Sequence, residues 1–98
     1  MLTFEKVFEV FREYLNTDDE FEIIQTSRGY TVLNWDDMGG DWYGVRLCPT
    51  PETLRDAVLS AYGTYLEHSL IKGRGYDLTA SEEQIVQDKC AIMRERCQ

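Results

Sequence analysis

Residues 20–48 read EFEIIQTSRGYTVLNWDDMGGDWYGVRLC. Three short runs rich in β-branched and aromatic residues are separated there by two polar breaks, the pattern of an antiparallel meander. The first run, Glu20 to Thr26, alternates Phe21, Ile23 and Gln25 with Glu22, Ile24 and Thr26, as a half-buried strand does. Ser27-Arg28-Gly29 is a short loop, and Tyr30 to Trp35 completes a hairpin. Asp36-Asp37-Met38-Gly39-Gly40-Asp41 is a polar turn, after which Trp42 to Cys48 reads as a third strand. Regular alternation assigns Phe21, Ile23, Tyr43, Val45 and Leu47 to an inner face. The opposite parity sends Glu20, Glu22, Ile24, Trp42 and Arg46 outward, joined by either Thr31, Leu33 and Trp35 or Tyr30, Val32 and Asn34.

Helical periodicity flanks this segment on both sides. Phe4, Val7, Phe8, Phe11, Tyr14 and Leu15 recur at helical spacing behind Thr3, a good cap, and Asn16-Thr17-Asp18-Asp19 ends that helix. Pro49 stops the third strand, and Thr50-Pro51-Glu52 opens a long central helix with a cap, a first-turn proline and an acid at the positive dipole end. Leu54, Val58, Ala61, Tyr62, Tyr65, Leu66 and Leu70 form its apolar stripe up to Lys72-Gly73. After the loop Gly73 to Leu78, Thr79-Ala80-Ser81-Glu82 is a capping box that starts a last helix with Ile85, Val86, Cys90, Ile92, Met93 and Cys97 as its apolar residues. The expected architecture is α-β-β-β-α-α, an α+β fold in a single domain over residues 1–98.

Composition narrows the function. Ten Lys plus Arg oppose 18 Asp plus Glu, a formal charge of -8, which argues against direct contact with nucleic-acid phosphates. The first fifty residues hold most of that imbalance, so the negative field is expected at the amino-terminal half and suits a basic protein surface. No continuous apolar run is long enough for secretion or for spanning a membrane, and the odd set Cys48, Cys90 and Cys97 fits a reducing, cytoplasmic setting. Cys90 and Cys97 lie two helical turns apart and cannot pair within an intact helix.

Chemical motifs are sparse. Asp36, Asp37 and Asp41 share a glycine-containing loop but lack the ligand spacing of a calcium loop, and one His with three scattered Cys makes no zinc site. No metal or cofactor is expected. Cysteine nucleophile chemistry lacks a partnered base, since the single histidine, His68, sits in a polar run of the central helix. Lys72-Gly73-Arg74-Gly75 follows a helix and has no Walker spacing, so it reads as a helix stop with cations that suit the dipole.

The outward sheet face is then too apolar for solvent. The last helix, or a second copy of the chain as a homodimer, would account for it. Otherwise Trp35 and Trp42, with Arg46 and the loop carboxylates Asp36, Asp37 and Asp41, form a contact surface for a protein partner. The favoured expectation is a non-enzymatic cytoplasmic protein-interaction module. The alternative within binding proteins is an acidic nucleic-acid mimic that inhibits a nucleic-acid-binding protein, and the alternative from another class is a small enzyme or ligand-binding protein using the loop carboxylates and His68.

Overall fold

The computed structural model describes residues 1–98 and has an α+β fold in which helices lie on one side of a three-stranded antiparallel sheet. Helices α1 (Phe4–Val10) and α2 (Arg12–Thr17) precede strands β1 (Phe21–Thr26), β2 (Gly29–Asp36) and β3 (Asp41–Cys48), and helices α3 (Pro51–Ile71) and α4 (Ala80–Arg96) follow. The sheet order is β1-β2-β3. The molecule measures 43 × 34 × 18 Å, a slab two layers thick.

Local chemistry starts each helix. The Thr3 hydroxyl accepts the Lys6 N–H at 3.1 Å, satisfying one of the donors that a helix start leaves free. At α3, Thr50 and Thr53 cap one another reciprocally, at 3.2 and 3.0 Å, and Pro51 takes the first position. Thr79 and Glu82 do the same for α4 at 3.2 and 3.0 Å. The single amino-terminal helix expected from periodicity is divided at Phe11, where φ is -98° and ψ is 12°. No proline or glycine is present there. The interruption falls on a ring that is completely buried and meets Tyr62 edge-on at 6.0 Å, so tertiary packing marks the break.

The largest correction concerns β3. Val32 pairs with Arg46, but Asn34 pairs with Tyr43, so two steps along β2 are matched by three along β3. The extra residue is a β-bulge at Gly44-Val45, and Gly44 supplies it with a left-handed backbone at φ +62°. Parity therefore reverses between Tyr43 and Arg46. Cys48 and Arg46 lie on the helix-facing side with Tyr30 and Val32, while Leu47 pairs with Thr31 on the outer side. The inner-face assignment fails for Val45 and Leu47, which are 65% and 48% exposed, and the outward assignment of Arg46 is reversed, while Tyr43, opposite Asn34, keeps the helix-facing side although it is 58% exposed. For the middle strand, Thr31, Leu33 and Trp35 face outward, since Val32 is buried.

One core joins the layers. Val7, Phe11 and Tyr14 meet Phe21, Val32 and Cys48 of the sheet, Leu54 and Val58 of α3, and Cys97 of α4. Each fully buried Val, Leu or Phe side chain contributes roughly 1.5–3 kcal/mol. Helix α4 packs along α3 and leaves the outer sheet face uncovered, with Val86, Cys90, Met93 and Cys97 turned inward and Ile85 and Ile92 in solvent. Leu66 and Leu70, expected in the buried stripe of α3, are only half-buried, and Leu59 is buried instead. No helix is long and apolar enough to cross a membrane.

Candidate functional site

The two faces of the sheet carry different chemistry at the end where β2 turns into β3. On the outer face Trp35 pairs directly with Trp42, and their rings meet edge to face with centroids 5.0 Å apart. Such a pair holds each indole in place beyond simple burial. Trp42 remains 41% exposed. Beside the pair runs an apolar strip of Leu33, Val45, Thr31, Leu47 and Ile24, all on the same side of the sheet.

Carboxylates border the indoles. Asp19, Glu20 and Asp37 line a shallow depression of about 470 Å³ together with Trp35 and Trp42. None of these three acids takes part in an ion pair. Asp36 and Asp41, paired at the base of the turn, are committed to the backbone: Asp36 Oδ1 accepts the Met38 N–H at 3.1 Å and Asp41 Oδ1 accepts the Trp42 N–H at 2.7 Å. The loop carboxylates therefore divide into two that shape the turn and one, Asp37, that faces the depression.

The inner face opens at the same end. Beyond the core the sheet and α3 diverge, leaving a cleft of about 700 Å³ with Val32, Asn34 and Arg46 on the sheet side and Ala61, Thr64 and His68 on the helix side. Arg46 stands here because of the bulge, across the sheet from the tryptophans. Asp18 and Tyr14 sit behind one end of the cleft, joined by a 2.7 Å hydrogen bond from the phenol to Oδ2. Burial, and then that bond to Asp18, hold the Tyr14 hydroxyl far above the usual phenol range.

Comparison with family models, curated proteins and solved structures returns no match. The site is thus read from its own geometry. Of the residues picked out in sequence, Trp35, Trp42 and Asp37 come together, Asp36 and Asp41 support them, and Arg46 belongs to the opposite face. Val45, Leu47, Asp19 and Glu20 were not among the expected contact residues. A glycine inside an otherwise regular strand was the available signal for the first two, since that is where bulges form. The thiols show no sign of activation: burial raises Cys48, Cys90 and Cys97 above the ordinary thiol range, opposite to the shift a nucleophile needs.

Proposed function

We propose that this chain is a protein-binding module whose outer sheet face receives a basic, amphipathic segment of another protein, and that it works in the cytoplasm. The observation that carries the reading is the exposed Trp35–Trp42 pair, set beside Asp19, Glu20 and Asp37 in one depression. A Lys or Arg side chain there would meet the π-faces of indoles and free carboxylates at once. Apolar side chains of the same segment would follow the strip from Leu33 to Ile24.

Charge complementarity favours a basic partner over a second copy. The formal charge is -8, and Glu20, Glu22, Asp36, Asp37 and Asp41 are all exposed around this face. A basic surface would be steered toward it, whereas an identical acidic chain would be repelled on approach. Three free thiols, two of them buried, fit a reducing compartment.

The test uses a fluorescein-labelled helix-forming peptide of alternating Leu and Lys turns, read by anisotropy. Wild-type chain should bind it, Trp42→Ala should weaken binding at least about tenfold, and Glu20→Gln with Asp37→Asn should flatten the salt dependence. Acetylation of the peptide lysines should abolish the interaction. Equal binding by wild type and Trp42→Ala would remove the reading. So would a dimer in sedimentation that Leu47→Lys dissociates, because the face would then belong to a second copy.

A further inference from the structure

The cleft between the sheet and α3 has features that protein docking on the outer face does not use. Its floor is apolar, formed by Phe21, Val32, Ala57 and Ala61. Its walls carry two cations from different parts of the chain, Arg46 from β3 and Lys72 at the carboxy-terminal cap of α3, with the His68 imidazole one turn before Lys72. None of the three forms an ion pair, although acids outnumber bases by 18 to 10 in the chain. The Arg46 side chain lies close enough to the Cys48 thiol to offset part of its upward shift. In a regular strand it would point to solvent on the other face, and the bulge with its left-handed Gly44 turns it inward. Bulges are a recurring means of re-aiming a side chain beside a binding site.

We propose that this cleft binds a small organic monocarboxylate, with an apolar body on the floor and its carboxylate held by Arg46. The volume, about 700 Å³, falls within the range of small-molecule sites, which join an apolar lining to a few convergent polar groups. A planar guanidinium matches a carboxylate with two parallel hydrogen bonds. Asn34, Thr64 and His68 supply further polar atoms along the same walls. The acids at the cleft's end set the limit on ligand charge. Asp18 is engaged by the Tyr14 hydroxyl and by the Glu20 N–H at 3.0 Å, while Asp19 and Glu20 stay exposed. Together with the net charge they disfavour polyanions such as nucleotides, which leaves a single negative charge on an apolar frame.

The experiment follows backbone amide shifts of the intact chain by two-dimensional NMR during titration with phenylacetate. Phenethylamine, the same frame with the opposite charge, and inorganic phosphate serve as counter-probes. Saturable shifts at Gly44, Arg46 and Thr64 below about 10 mM phenylacetate, absent with phenethylamine, are expected. Arg46→Met should weaken them at least about tenfold, and Thr64→Phe, which plugs the cleft from an exposed helix position, should abolish them. Both sites are solvent-exposed, and unchanged melting of the two variants separates lost binding from lost folding. Absence of saturable shifts, equal response to phenethylamine, a preference for phosphate, or full binding by Arg46→Met would each overturn the proposal. Anisotropy of the basic peptide in Arg46→Met should stay at the wild-type value, so failure here and failure of the outer-face reading are distinct results.

Discussion

Gly44 carries φ +62°, and a Cβ built on it would lie 3.0 Å from the Asn34 side-chain nitrogen. Gly44→Ala is therefore expected to destabilise the fold by about 1–2 kcal/mol, through left-handed strain and the displaced amide. Gly63 is the opposite case. It lies inside α3, where a Cβ would meet only Cys90 Sγ at an ordinary 3.5 Å. Gly63→Ala should stabilise by roughly 0.5–1 kcal/mol through helix propensity alone, and denaturant melts of the two variants check both signs. The same two kinds of residue explain what could be read in advance. Trp42 sits before the bulge, where plain alternation still holds, and its outward placement was legible, whereas the middle strand carries apolar residues at both parities and left the face of Trp35 open. Arg46 and Leu47 sit after it, and the run Trp42 to Cys48 carries apolar residues at both parities, so its pattern could not reveal the reversal.

Arg74 and Glu82 tie α3 to α4 at the level of elements. The guanidinium grips both carboxylate oxygens at 2.7 and 2.6 Å, donates to the carbonyls of Tyr76 and Asp77, and lies 4.2 Å from the Tyr76 ring centre. These bonds, first that from Arg74 and then those at Thr79, hold the Glu82 carboxyl down at about 2. A carboxylate depressed in the folded state stabilises above its unfolded pKa and loses that contribution as pH falls toward the folded value. For Glu82 the window runs from roughly pH 4.3 down to about 2. In Arg74→Met the Glu82 titration followed by NMR should move up toward the ordinary range, and the stability that the wild type loses between roughly pH 4.3 and about 2 should shrink, leaving a flatter pH dependence there. Capping signals at Thr50 and Thr79 were visible in sequence because they are local and chemically specific. The Arg74 clasp and the break at Phe11 were not, since each depends on a partner brought near only by the fold.

At the scale of the whole molecule, a slab 18 Å thick leaves little interior, and only 13 of 98 residues are buried. Leu54, with no exposed surface and neighbours from both layers, should lose about 2–5 kcal/mol on truncation to alanine. Ile92, 56% exposed, should change stability by less than about 0.5 kcal/mol, and thermal melts of the pair test where the core ends. The α+β order and the covering of one sheet face by the amino-terminal and central helices were legible from element order, because a meander flanked by such helices has few compact solutions. Which side α4 would take was not, since its stripe is short and suits a helix as well as a sheet. The arrangement has a kinetic corollary. Strands adjacent in the chain are adjacent in the sheet, and α4 folds back on α3 through residues 72–79 alone. Most pairings thus close short loops, and the docking of α1 and α2 onto the sheet, α3 and the end of α4 makes the long-range contacts. Stopped-flow refolding should accordingly finish within milliseconds to tens of milliseconds, and substitutions at Val7 or Phe11 should slow it more than those in either hairpin turn.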